Sequence, residues 1–257
     1  MATKSAKKRG STLKVSFNEE NSETWIADEK KIIRSIIDRD IRVTAKNDSQ
    51  KELIMNILGK EILICSGRAG TGKTFISLAL ALGLLRSENN KFVKIYLVKS
   101  VTTLKGEEIG YLKGDLNDKI EPFIWSFVLN VEKLIPDKLI RSIIDSDFIR
   151  PFPLAYARGT SIDNAIIIVD EVQNISVDNM HTLMTRIGEN SKMILLGDTR
   201  QIDLKVKKES SLGKLIKMFK DVDDIGVVEM SDTDENVRNP IISIIEKKFD
   251  ELEDGKY

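Results

Sequence analysis

Gly67-Arg-Ala-Gly-Thr-Gly-Lys-Thr74 is the stretch that decides how this chain folds. The spacing G-x-x-x-x-G-K-T has a mechanical reason. Glycines let the backbone curl into a concave nest whose N–H groups face phosphate oxygens, and a helix opening at its end adds its positive pole. Lys73 then brings a point charge to the β and γ phosphates, and Thr74 places a hydroxyl for Mg²⁺. Gly67, Arg68, Ala69, Gly70, Thr71, Gly72, Lys73 and Thr74 are therefore the expected cofactor-binding residues, and ATP with Mg²⁺ the expected cofactors. A glycine-rich turn between a strand and a helix would explain the glycines but not the Lys-Thr pair. The motif requires a strand before it and a helix after it, and the apolar runs Glu61 to Ser66 and Phe75 to Leu85 supply both.

Such a loop needs a second pole for the metal at the end of a buried strand. Ile166-Ile-Ile-Val-Asp-Glu171 fits: four apolar residues enter the sheet, Asp170 emerges at its edge to hold Mg²⁺, and Glu171 is placed to polarise water. Read alone, Asp-Glu would also serve to cap a helix beginning near Ser176. A further strand, Lys192 to Leu196, runs into Gly197-Asp-Thr-Arg-Gln-Ile-Asp203. Gln201 there is the candidate sensor of the γ-phosphate, since an amide both donates and accepts. An ordinary polar loop after Gly197 is the alternative.

Outward from these motifs the chain alternates short β-rich runs with helical ones. Strands are expected at Ile62 to Ser66, Val93 to Lys99, Ala165 to Asp170, Met193 to Gly197 and Gly226 to Met230. Helices are expected at Lys73 to Arg86, Asn117 to Leu134, Val177 to Ile187, Leu212 to Phe219 and Val237 to Leu252. The rhythm predicts an α/β fold, a mainly parallel sheet sandwiched by helices. Ahead of it, residues 1–44 read as a basic arm, then a helix at Ser22 to Asp38 and an extended run at Ile41 to Thr44, leaving residues 45–257 as the main domain. The arm fits either attraction to nucleic acid or a solvated end. The acidic end at Asp250 to Asp254 reads as a frayed, solvated helix terminus.

Composition removes several chemistries. One cysteine, Cys65, and one histidine, His181, exclude disulfide frameworks and Cys- or His-rich metal sites. Cys65 reads as a small buried hydrophobe and His181 as a surface or interface residue. The longest apolar run falls far short of the ~20 residues of a membrane helix, and a basic start without an apolar segment after it points to the cytoplasm. Forty basic residues balance forty acidic ones, which leaves room for a local basic channel but not a wholly basic surface. The glycine-spaced loop with Lys99, Lys105, Tyr111 and Lys113 fits a single nucleic-acid strand or a solvated loop. Phe123, Trp125 and Phe127 read as core rather than as a stacking platform.

Several further segments carry a family resemblance. Lys105-Gly-Glu-Glu-Ile-Gly-Tyr-Leu-Lys-Gly114, Pro153-Leu-Ala-Tyr-Ala-Arg-Gly159, Gln173-Asn174, Leu183-Met-Thr-Arg-Ile-Gly188, Gln201-Ile-Asp-Leu204 and Val237-Arg238 follow one another, with the motifs above, as in PhoH-like P-loop ATPases. The chain resembles that family over about residues 45–250. The resemblance implies a RecA-like core similar to one lobe of superfamily 1 helicases, ATP hydrolysis, a homo-oligomeric ring, and work on single-stranded nucleic acid, RNA ahead of DNA. It also implies that Gln50 reads the adenine edge and that Arg238 acts as an arginine finger. The chain departs from the family pattern at Arg68, where proline is commoner, at Val172, where alanine is usual, and at Thr160-Ser161, where a second arginine is expected. A small-molecule phosphotransferase and a nucleotide-gated assembly factor are the rival readings.

Overall fold

Side chains that are apolar at nearly every position of a short run can only be satisfied by burial on both faces, and three strands of this chain, Ile62–Ser66, Ala165–Asp170 and Lys192–Gly197, take that form. In a computed structural model, which describes residues 19–100, 127–135, 142–143, 146–230, 240–253 and 256, six strands form one sheet in the order β3-β2-β4-β5-β1-β6. These are β1 (Ile62–Ser66), β2 (Lys94–Lys99), β3 (Ile149–Pro151), β4 (Ala165–Asp170), β5 (Lys192–Gly197) and β6 (Ile225–Glu229). Every pairing is parallel. Successive side chains point to opposite faces, so Ile168 and Leu196 join one apolar cluster, while Ile167, Val169 and Leu195 join the other.

Helices cover both faces. The first cluster is closed by α1 (Glu19–Ile36), α2 (Asp48–Gly59) and α3 (Lys73–Arg86), through Ile33, Leu53, Ile57, Leu78 and Leu82. The second is closed by α4 (Val177–Met184) and α5 (Leu212–Phe219), through Met180, Leu183, Leu212 and Leu215. A last helix, α6 (Pro240–Glu253), ends the fold. This is the RecA-like P-loop α/β arrangement. Because all strands run the same way, the C-terminal ends of β1, β2, β4 and β5 lie at one edge. The crossover from β1 to β2 skips β5 and β4, which opens a crevice there.

Several boundaries differ from those expected. The first helix runs over Glu19–Ile36 rather than Ser22 to Asp38, and Ile41 to Thr44 is irregular rather than a strand. Helix α2 was not anticipated, although Asn47 caps it by accepting from the Gln50 N–H at 2.8 Å. Strand β3 was also missed; three residues carry no period, and Pro151 is tolerated because the strand lies at the sheet edge. Helix α4 stops at Met184, where the chain turns so that Ile187 bridges to Ile162. Of the helix expected at Asn117 to Leu134, residues 127–131 are helical and 117–126 lie outside the described residues, with Phe123 and Trp125. Phe127 is core. The basic arm and residues 237–239 of the expected last helix also lie outside them.

The end of α3 shows how α1 is fastened. Its last carbonyls have no partner within the helix, and the Lys30 ammonium, buried at 5% exposure, donates to Leu85 O at 2.8 Å, Ser87 O at 2.7 Å and Asn90 Oδ1 at 2.9 Å. Lys30→Met keeps the length of the side chain and removes these donors. An uncompensated buried acceptor costs ~1–3 kcal/mol, so the urea midpoint should fall accordingly. An unchanged midpoint would show that Lys30 does not fasten α1.

Candidate nucleotide-binding site

The phosphate loop is shaped by its glycines. Gly70 and Gly72 have φ of 82° and 91°, left-handed conformations that side chains avoid. At Gly67 an added Cβ would stand 2.8 Å from the Met230 Cβ, so the loop passes β6 too closely for any side chain. Gly72 precedes α3 and provides no side-chain cap, which leaves the first N–H groups of the helix facing the crevice end of the loop. Lys73 Nζ donates to the loop carbonyls of Gly67 at 2.5 Å and Arg68 at 2.8 Å. Burial pushes its pKa down, against the opposing pull of Asp198, Asp170 and Glu171.

Strand β4 delivers the acidic pole. Thr74 Oγ1 donates to Asp170 Oδ2 at 3.1 Å, which joins the hydroxyl and carboxylate expected of a magnesium site. The donors fit that ion: Mg²⁺ prefers hard oxygens and is usually held by one or two protein groups together with phosphates and water. Among the described residues no group of three His, Cys, Asp or Glu side chains forms a closed metal cage. Glu171 follows in a left-handed conformation, φ 59° and ψ 40°, a strain of ~1–3 kcal/mol for a non-glycine residue. Burial, then the neighbouring Asp170 charge, raises its pKa, while Gln173, Lys99 and Lys73 act against the rise.

A crevice of about 520 Å³ gathers Gln50, Ala69, Gly70, Gly72, Lys73, Thr74, Asp170, Glu171 and Gln201 on one lining, with Lys99. That volume is of the size that ligand pockets have, ~300–1,000 Å³. Gln50 is buried and braces the loop: its Nε2 donates to Thr71 O at 2.9 Å and its Oε1 accepts from the Lys46 N–H at 2.8 Å. Gln201 sits in the exposed loop after β5. Arg68 is part of the loop by its backbone, but its guanidinium donates to Asp250 Oδ2 on α6 at 2.6 Å. Asp250 is therefore anchored to the phosphate loop rather than frayed. Lys105, Tyr111, Lys113 and Arg238 lie outside the described residues. Cys65 is fully buried with its thiol pushed up to about 12, and His181 is exposed on α4.

Two residues next to the carboxylates were assigned no role from sequence. Gln173, fully buried, donates through Nε2 to Glu171 Oε2 at 2.6 Å and accepts through Oε1 from the Asp198 N–H at 3.0 Å. Asn174 accepts from the Asp203 N–H at 2.7 Å, and its carbonyl accepts from Ser100 Oγ at 2.7 Å. A Gln-Asn pair one residue past two carboxylates at the end of an apolar strand was the available signal, because amides that become buried must be bonded.

The PhoH-like protein family profile matches residues 42–250. A PhoH-like protein of Bacillus subtilis (strain 168) is 32% identical over 222 residues, covering 86% of this chain and 68% of that protein. A PhoH-like protein of Synechocystis is 34% identical over 211 residues, 82% of this chain and 63% of its own length. The protein PhoH of Escherichia coli (strain K12) is 31% identical over 202 residues, 75% of this chain and 54% of its own length. The matched region thus spans about half to two thirds of these relatives. Among solved structures, the large terminase of a thermophilic bacteriophage is similar at a TM-score of 0.46 and 9% identity, over 80% of this chain and 50% of the terminase. No helix among the described residues is long and apolar enough to cross a membrane. With the profile covering the phosphate loop, the Asp170-Glu171 strand end and the loop after β5 in one span, the chain belongs to the PhoH-like protein family.

Proposed function

We propose that this chain hydrolyses ATP with Mg²⁺ and couples turnover to binding or remodelling of single-stranded nucleic acid, RNA ahead of DNA, as a homo-oligomeric ring in the cytoplasm. The observation that carries the hydrolytic reading is the 3.1 Å contact between Thr74 and Asp170, with Glu171 next in the chain and Lys73 on the same lining. Thr74 and Asp170 would hold Mg²⁺, whose charge offsets that of the β and γ phosphates. Lys73 and the loop N–H groups take the phosphate oxygens. Glu171 Oε2 is held by Gln173, and Oε1 is the atom proposed to take a proton from the attacking water. Gln201 is proposed to orient that water. Each amide atom of Gln50 keeps a second bonding position beyond its contacts to Thr71 and Lys46, which supports contact with an adenine edge.

Lys99 lines the crevice, and Lys105, Tyr111 and Lys113 follow it in the sequence; this pattern of basic and aromatic residues is the ground for proposing a nucleic-acid strand close to the nucleotide. Arg238 is proposed to reach a neighbouring subunit's nucleotide. The coupling is tested by measuring ATP turnover with single-stranded RNA, single-stranded DNA or neither, at two salt concentrations. Stimulation by RNA above DNA that weakens with salt is expected. Turnover indifferent to polynucleotide would remove the coupling and favour an assembly factor, and a phosphorylated small-molecule product would favour a phosphotransferase.

A further inference from the structure

Glu171 is aimed by the strained backbone it sits on, yet a carboxylate on a left-handed residue has no helix or strand to fix its side chain. The fixing contact comes from Gln173. Its amide spans the gap between β4 and β5: Nε2 donates to Glu171 Oε2 at 2.6 Å, and Oε1 accepts from the Asp198 N–H at 3.0 Å. Both polar atoms are used and the residue has no exposed surface. The neighbouring strand makes room for this approach, since a Cβ at Gly197 would stand 2.5 Å from Gln173 Oε1 and 3.3 Å from Gln173 N. The next residue, Asn174, holds the far end of the same loop through Asp203. The segment from Asp198 to Asp203, which carries Gln201, is thereby pinned at both ends to the turn that follows Glu171.

We infer that Gln173 is a positioning residue for hydrolysis, indexing the Glu171 carboxylate to the end of β5 so that Glu171 and Gln201 address one water. The inference rests on the hydrolytic reading above. Gln173 touches no phosphate ligand of the loop, so its removal should act on turnover and not on nucleotide affinity. It acts through Glu171, so its effect should vanish once Glu171 is gone.

The experiment is a double-mutant cycle of Gln173→Met and Glu171→Gln in the full chain, with ATP turnover and ADP affinity measured for each protein. Methionine keeps the volume and removes both hydrogen bonds. In the parental background kcat should fall ~10²-fold, the scale of a misplaced reacting group, with ADP affinity changed less than twofold. In the Glu171→Gln background the same substitution should change the residual rate less than threefold. Parental kcat in Gln173→Met, or an equal fall in both backgrounds, would overturn the inference and leave the ATPase reading standing. A parental chain that binds ATP without hydrolysing it would overturn both. Gln173→Asn guards against a misfolded methionine variant, because it keeps a buried amide but is one methylene too short to reach both Glu171 and Asp198; its kcat should fall as far, and parental turnover in it would also overturn the inference.

Discussion

Glu171→Gln is expected to retain nucleotide binding and to lose turnover by ~10²–10⁴-fold, the usual contribution of a positioned general base. The amide is nearly isosteric with the carboxylate and cannot accept the proton of water. Nothing in the phosphate loop is altered, because Lys73, Thr74 and the loop backbone are held by contacts that do not include the Glu171 side chain. The mutant should therefore trap ATP. Burial and the adjacent Asp170 charge, which raise the pKa of Glu171, also make its carboxylate a stronger base than an exposed one. Single-turnover measurement separates binding from chemistry, and a parental rate would move the base elsewhere.

The second large effect is expected at Lys73. Its ammonium is buried against two loop carbonyls, and burial has pushed its pKa down, so it is a charge held ready at a desolvation cost. Lys73→Ala removes two or more charge-assisted bonds to phosphate, each worth ~1.5–3 kcal/mol, and ATP affinity should fall at least ~10²-fold. In the ligand-free protein, loss of the bonds to Gly67 O and Arg68 O opposes the relief of the buried charge, so the readout is the ATP-dependent change. A parental chain gains ~2.7 kcal/mol when ATP is present at ~100 times Kd, and in the mutant this ATP-dependent stabilisation should shrink to ~0.4 kcal/mol or less. An undiminished stabilisation would place the phosphates elsewhere.

Much of this site is legible in the sequence because its parts are local. The loop from Gly67 to Thr74 needs glycine at positive φ and a lysine and threonine at the helix start, and the Asp170-Glu171 pair stands where a wholly apolar strand ends. The lateral order of the strands is not local. Alternation of elements predicts a parallel sheet but not that β5 lies between β1 and β4, which is what brings Asp198 and Gln201 beside the carboxylates. The Gln-Asn pair was visible but the positioning role of Gln173 was not, since its second partner, Asp198, lies just past the end of β5, 25 residues on. Helix α2 was legible and missed: Asn47 three residues before Gln50, with Leu53 and Ile57 buried behind them, is a capped amphipathic start. The frayed reading failed at Asp250, which is half exposed but ion-paired to Arg68, because that pairing depends on where α6 docks, which no spacing encodes.

Release of inorganic phosphate from ATP by the purified chain, with magnesium present and with it chelated, addresses hydrolysis itself. The expected result is release that requires magnesium, is lost in Lys73→Ala, and falls by ~10²–10⁴-fold in Glu171→Gln at matched protein concentration. ATP bound by the parental chain with no phosphate released, or release that persists without magnesium, would contradict hydrolysis through a magnesium ion on Thr74 and Asp170 with Glu171 as the base.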